Sequence, residues 1–354
     1  MSSNLGPIAR RKIGTTGLEA SVLGFGTGDN AGLMVLASTA EQQRAVDEAI
    51  AAGINYFVTS PDYGRGRAEE NLGRALKGRR NDVLITTKVE IMSADRHRLA
   101  KKVAESIDQS LRRLQTDHVD ILMIHNPPAH QNQWERTTWA PLVRDDYLRQ
   151  GGAFEGLAKA IASGKARFGG FACEDAQPGV VAELVSHPQV DVLNVWLNML
   201  NPTSLLDSLL DPASSPIKGP VDFRGIGAAA ARHGVGIAGF RALGGGALMS
   251  AAANTFARHP VAGGGFTRNA ALYRFEVELA SRLVKRLGID STDAMAAAAY
   301  RFNITDPRIF ATIAGFSELS HLHGAIAAVA AGPLTKDEWD GIVAVWYELF
   351  ARGG

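Results

Sequence analysis

Gly53-Ile54-Asn55-Tyr56-Phe57-Val58-Thr59-Ser60-Pro61-Asp62-Tyr63-Gly64, with Glu69-Glu70-Asn71-Leu72-Gly73 shortly after it, is the stretch on which the fold of this chain turns. Ile54–Ser60 is a nearly continuous apolar run of strand length, and Arg67–Leu76 follows with helical period. A strand of this kind followed by a helix is the repeating unit of a parallel sheet covered by helices. Tyr63 stands just past the end of the strand.

The same unit recurs along the chain. A short run, Leu23–Gly26, opens the series, and further strands are expected at Val83–Val89, Val119–His125, Phe168–Cys173, Val190–Asn198, Gly236–Ala242 and Ile309–Gly315. Between them, Thr39–Ala52, His97–Leu114, Phe154–Ser163 and Phe223–His233 carry helical period. Eight strand–helix units favour a closed barrel over an open sheet, so the expected fold is α/β, a (β/α)8 or TIM barrel. Residues 1–354 then form one domain. Arg10–Leu23, turning at Gly14-Thr15-Thr16-Gly17, reads as a hairpin on the barrel floor. An extra C-terminal helix opens with a capping box, Thr335 as N-cap and Glu338 three residues on.

Two connections are long. Residues 126–152 carry Pro127, Pro128, Trp134, Trp139 and Tyr147, and residues 243–268 are rich in glycine. Loops after barrel strands lie on the catalytic face, so both are expected to shape a pocket there. Packing on the rim or joining subunits is the alternative. Trp134 and Trp139 are candidates to stack on a substrate ring, or simply to anchor their loop.

Composition narrows the class. Hydrophobic residues make up 46% of the chain and charged ones 21%, which fits a globular protein with a large core. The net charge of +1 gives no basic block for nucleic acid or a membrane surface. It is permissive of a homo-oligomer. Cys173 is the single cysteine, which excludes an internal disulfide and suits a reducing cytoplasm. The N-terminal residues have no apolar core suited to a signal peptide. No run of about 18 apolar residues offers a transmembrane helix.

The strand ends carry the candidate chemistry. Tyr63, Lys88 and His125 lie at or just past the ends of three successive strands, which a parallel barrel brings to one face. A tyrosine can pass a proton to a carbonyl oxygen if a neighbouring ammonium lowers its pKa, and a histidine can hold that oxygen. Any one of these alone is more often a structural group. Three on successive strand ends are harder to dismiss.

Arg11-Lys12-Ile13-Gly14, Leu23-Gly24-Phe25-Gly26-Thr27, the tyrosine stretch, Thr87-Lys88, Ile124-His125-Asn126, Gly164-Lys165-Ala166-Arg167 and Leu243-Gly244-Gly245-Gly246 together resemble the aldo-keto reductase family, in family order. The resemblance implies Tyr63 as proton donor, Lys88 as the group that lowers its pKa, and His125 as the group that orients the carbonyl. The family also places an aspartate five residues before the tyrosine, paired with the lysine. Here that position is Val58. A lysine beside Val58 should tend toward its neutral form, and Glu90 and Asp62 are the candidate substitute charges.

The resemblance further implies a nicotinamide cofactor, NAD or NADP. The family's serine-asparagine pair on the nicotinamide carboxamide corresponds to Ala172 and Cys173, and its glutamine to Asn194. Phe240 can stack on the ring, with Arg241 beside it. Gly26 and Thr27 belong to the same rim. Gly315 with the helix after it could hold a phosphate on backbone N–H groups, with Ser317 in place of the basic residue for a 2′-phosphate. That replacement argues for NAD. His323-Gly324-Ala325 stands where the family contacts adenine.

Other signals carry less. Leu23-Gly24-Phe25-Gly26-Thr27-Gly28 lacks the following helix and acidic partner of a dinucleotide fingerprint. His321 and His323 lack a carboxylate or cysteine cluster, so no metal is expected. Cys173 reads as a small core residue, with a thiol at the barrel mouth as the alternative.

The leading expectation is an NAD(P)-dependent oxidoreductase acting on a carbonyl or alcohol of a small, sugar-like molecule. The alternative is a lyase, dehydratase or isomerase using Tyr63, Lys88 and His125 without a cofactor. A third is a silent binding subunit. Small-molecule substrate, cytoplasmic location and no nucleic-acid or membrane partner complete the reading.

Overall fold

An antiparallel hairpin of β1 (Arg10–Lys12) and β2 (Glu19–Ser21) starts the fold in this computed structural model, which describes residues 8–28, 30–135, 140–174, 176–205, 223, 225–255 and 270–350. The barrel strands are β3 (Leu23–Gly26), β4 (Tyr56–Val58), β5 (Leu84–Val89), β6 (Val119–Ile124), β7 (Ala166–Cys173), β8 (Val192–Trp196), β9 (Gly236–Phe240) and β10 (Ile309–Gly315). They close in the order β10-β3-β4-β5-β6-β7-β8-β9, each neighbouring pair parallel. This is the (β/α)8 barrel that the strand–helix repeat predicts.

Helices cover the outside. They are α1 (Leu33–Leu36), α2 (Thr39–Ala51), α3 (Arg67–Ala75), α4 (Leu99–Leu114), α5 (Arg144–Leu148), α6 (Ala153–Ala162), α7 (Pro178–Leu184), α8 (Ile226–Arg232), α9 (Ala247–Ala252), α10 (Ala270–Leu287), α11 (Thr292–Thr305), α12 (Leu319–Ala330) and α13 (Lys336–Phe350). Strand alternation divides the apolar residues into two cores. Phe57, Leu122, Ile124, Phe171, Leu193, Val195 and Ile237 face the helices. Tyr56, Val58, Ile121, Met123, Val192, Ala238, Phe310 and Ala311 fill the lumen together with Ile13, Leu18 and Ala20 of the hairpin. The hairpin therefore plugs the floor, with Thr15 N–H bonded to Gly234 O at 2.9 Å.

Element ends differ from the sequence reading for identifiable reasons. Ile54–Ser60 shortens to β4 because the Thr59 carbonyl turns to accept from Lys88 Nζ at 3.0 Å. The end of Val190–Asn198 turns at Asn198, whose Oδ1 accepts from the N–H groups of Leu200 and Asn201 at 2.9 Å each. The helix expected from Phe223 begins at Ile226, because Gly225 at φ 69° is left-handed. Phe223 itself packs against Trp196.

The long connection 126–152 contains α5, and Asn126 anchors it by donating to Ile91 O and Ala140 O, each at 2.8 Å. The connection from residue 243 contains α9, and residues 256–268 lie outside the described part. At the far end the capping box is formed: Glu338 N–H donates to Thr335 Oγ1 at 3.3 Å, and Thr335 N–H to Glu338 Oε2 at 2.6 Å. Trp339 stacks on Phe302, and Trp346 Nε1 donates to Met199 O at 2.7 Å, seating α13 on the barrel.

Candidate active site

Lumen-facing positions continue upward to the mouth with a period of two residues. Leu84 leads through Thr86 to Lys88, Ile121 through Met123 to His125, Gly170 to Ala172, Val192 through Asn194 to Trp196, and Ala238 to Phe240. This parity brings Lys88, His125, Asn194 and Phe240 to one end of the barrel.

Tyr63 reaches that end from a tight turn. Gly64, Arg65 and Gly66 all have positive φ, at 57°, 57° and 91°. A Cβ at Gly66 would lie 2.8 Å from Arg113 Cδ, so glycine is needed there both for conformation and for space. Arg113 Nε in turn donates to Glu69 Oε2 at 2.6 Å. Glu69 is fully buried and also accepts from Thr87 Oγ1 at 2.5 Å. The turn bearing Tyr63 is thus tied to α4 and to the outer face of β5, next to Lys88.

Lys88 Nζ donates to Tyr63 Oη at 3.1 Å and to Thr59 O at 3.0 Å. It lies 4.7 Å from the centroid of the Tyr63 ring. Burial pushes its pKa down to about 8, against the opposing charges of Asp62, Glu174 and Glu69. The shift toward the neutral form has the expected direction, and Asp62 is the strongest of the carboxylates that resist it.

His125 is buried, edge-on to Tyr63 with ring centroids 5.9 Å apart. Its Nδ1 lies 3.3 Å from Asp62 Oδ1 and 3.3 Å from Ser60 Oγ, and the Ser60 hydroxyl donates to Asp62. Burial alone would raise the Asp62 pKa. The charge and hydrogen bond of His125, with Ser60 and Lys88, instead hold the carboxyl well below the usual range. Val58, where the family has its aspartate, is 2% exposed among lumen side chains. The carboxylate nearest the chemistry stands past the strand end rather than on it.

At the end of β8, Asn194 Oδ1 and Trp196 Nε1 are buried polar atoms that find no partner among the described residues. Such atoms are costly unless a ligand or water meets them. Ala172, the register partner of Asn194, is too small to crowd it. Phe240 is half-buried, 6.4 Å from the Trp196 ring. Arg241, at φ 62°, stacks its guanidinium 3.9 Å from the Trp196 centroid and pairs with Glu174 at 3.3 Å. These features fit a carboxamide-bearing ring at the mouth.

The remaining sequence candidates fall around this centre. Thr27 spends its hydroxyl on Thr59 Oγ1 at 2.8 Å and on Val58 O, holding the ends of β3 and β4 together. Gly26 and Gly315 are paired neighbours at the top of β3 and β10, with Ser317 half-buried just before Glu318, the N-cap of α12. Trp134 is half-buried and packs against the outer core, which is the anchoring option. Trp139 lies outside the described residues. Cys173 faces the helices, and burial pushes its thiol pKa far up, so it is a core residue. His321 and His323 pair at the surface with Glu318 and Glu48. No cluster of three metal-ligating side chains occurs among the described residues.

Three members of the site were not singled out from sequence: Ser60, Glu174 and Trp196. The signal for two of them was parity, since Glu174 and Trp196 stand two residues beyond Ala172 and Asn194.

The aldo/keto reductase family model matches residues 22–347. The chain belongs to the aldo/keto reductase family. Among its relatives, L-galactose dehydrogenase of Arabidopsis thaliana is 38% identical over 122 residues, covering 34% of this chain and 38% of the relative. Aldo-keto reductase YhdN of Bacillus subtilis is 36% identical over 123 residues, covering 32% and 37%. Less than half the length of either relative is therefore matched. The aldo-keto reductase AKR11C1 from Bacillus halodurans, in its holo form, superposes with a TM-score of 0.69 at 22% identity, covering 96% of each chain. That likeness concerns the aldo-keto reductase fold.

Proposed function

We propose that the protein is a nicotinamide-dependent oxidoreductase that interconverts a carbonyl and an alcohol on a small, sugar-like molecule. The observation that carries this reading is the 3.1 Å contact from Lys88 Nζ to Tyr63 Oη at the barrel mouth.

Tyr63 serves as the proton donor and acceptor at the substrate oxygen. Its oxygen accepts from the Lys88 ammonium, which stabilises the tyrosinate more than the phenol and so lowers the cost of releasing the proton. Thr59 O fixes the ammonium beside that oxygen. His125, edge-on to Tyr63, holds the substrate oxygen from a second side. The dry wall of Val58, Met123 and Ile121 beneath them strengthens each of these interactions.

A bound nicotinamide would supply the hydride. Asn194 would meet its carboxamide through the buried Oδ1, and Phe240 would cover its ring. Gly315 and Ser317 at the start of α12 would receive phosphate on backbone N–H groups. Glu318 at the helix N-cap adds a carboxylate beside the place where a 2′-phosphate would need a cation, so NAD is favoured over NADP.

The likeness to L-galactose dehydrogenase supports a sugar-like substrate. The family match and the unpaired Asn194 oxygen favour a redox enzyme over a lyase or isomerase. Among the described residues no helix is long and apolar enough to cross a membrane, in keeping with a cytoplasmic enzyme of small molecules.

Aldoses, their lactones and simple ketones, assayed with NAD and NADH, test the reading. Tyr63→Phe should lower the rate on any accepted compound by roughly a hundredfold or more. Equal rates in the variant would sink it.

A further inference from the structure

Val192, Asn194 and Trp196 alternate onto one side of β8, and Val192 fills the lumen there. The two residues above it carry Asn194 Oδ1 and Trp196 Nε1, which find no partner among the described residues. Asn194 is 3% exposed and Trp196 5%, so bulk water does not meet either atom. Leaving such atoms unmet is costly.

The two atoms are of opposite kind. An indole N–H only donates a hydrogen bond, and an amide oxygen only accepts one. Their residues stand about 6.6 Å apart along the strand. One small group, bonded at about 2.9 Å to each atom, bridges such a gap. It has to accept at the Trp196 end and donate at the Asn194 end. A primary carboxamide does both, whereas a carboxylate has no hydrogen to give.

The surroundings suit a ring that carries this group. Phe240, the register partner of Trp196, is half-buried and offers a flat face. Ala172, the register partner of Asn194, has no polar atom in its side chain, and Cys173 faces the helices. The end of β7 therefore offers a carboxamide little from these two side chains, and β8 offers both a donor and an acceptor. A ligand reaches the two atoms only as a side chain at the mouth turns aside. Phe240 stands there with Arg241, whose guanidinium lies 3.9 Å from the Trp196 centroid.

We infer that Trp196 is a further cofactor-binding residue, whose indole N–H takes the carboxamide oxygen of a nicotinamide while Asn194 Oδ1 takes its NH2 group. This deepens the oxidoreductase reading and rests on it for the presence of a nicotinamide.

The test is calorimetric titration of the full-length protein with NAD and two analogues. The 3-acetylpyridine form keeps the carbonyl oxygen and lacks the NH2 group, and the nicotinic acid form carries a carboxylate. The wild type should bind NAD roughly fivefold or more tighter than either, as suits one hydrogen bond. Trp196→Phe should weaken NAD and the acetylpyridine form alike, again by roughly fivefold or more. Asn194→Ala should weaken NAD by a similar factor and leave the acetylpyridine form nearly unchanged. If Trp196→Phe does not fold, the indole ¹⁵N–H signals of the wild type take its place. The chain has five tryptophans, and one signal has to move downfield as NAD binds. NAD affinity untouched by Trp196→Phe, or indole signals that all stay in place, overturns the inference and leaves the pair to a buried water. Failure of the wild type to bind any of the three strikes the oxidoreductase reading itself, and this inference with it.

Discussion

Lys88 Nζ sits 3.1 Å from Tyr63 Oη and 4.7 Å from the centroid of the same ring, so one cation acts on both the hydroxyl and the π-face of one tyrosine. The two residues come from different elements, and their contact depends on the left-handed turn at Gly64–Gly66. It also depends on a lysine kept charged in a buried place.

That charge sets a pH dependence. Burial lowers the Lys88 pKa to about 8, so the ammonium is present below that value and lost above it. Activity should therefore fall as pH rises through about 8. Val58→Asp adds a carboxylate on the lumen face near Lys88, which favours the ammonium and should move the alkaline limb up by about one unit or more. The dependence of kcat/KM on pH in both proteins checks this, and an unmoved limb counts against Lys88 as the group responsible.

Glu69 ties the Tyr63 turn to the barrel. It is fully buried between Arg113 and Thr87. Glu69→Gln leaves Arg113 without its charge partner and should cost about 3 kcal/mol of stability. Denaturant unfolding of the two proteins gives the difference directly. A cost near zero would show that the turn is held by something else.

Gly170 on β7 pairs with Val192 on β8. A Cβ there would stand 1.9 Å from Val192 O, which is backbone and cannot swing away. Gly170→Ala should cost about 3 kcal/mol or prevent folding, at or beyond the upper end for overpacking. Gly324, with open space around its position, is the control: Gly324→Ala should fold normally. Thermal unfolding of the pair decides it.

The barrel was legible because strands buried on both faces read as apolar runs, and Tyr63, Lys88 and His125 stood at or just past three successive strand ends. The family motifs added Asn194 and the absence of aspartate at position 58. Asp62 was only one candidate among two, because its direction is set by the positive-φ backbone that follows it. The contact between Trp196 and Arg241 was harder still. Their stacking needs the register of β8 on β9, which pairs Trp196 with Phe240 and which no periodicity in the sequence reports.

Calorimetric titration of the protein with NADH and NADPH should come first. Binding of NADH at one site per chain, tighter than NADPH and weakened roughly tenfold or more by Asn194→Ala, is the expected result, in line with the loss of a buried hydrogen bond. No heat and no change in tryptophan fluorescence with either dinucleotide at about millimolar concentration, well within reach of ordinary binding energies, would contradict a nicotinamide oxidoreductase on this barrel.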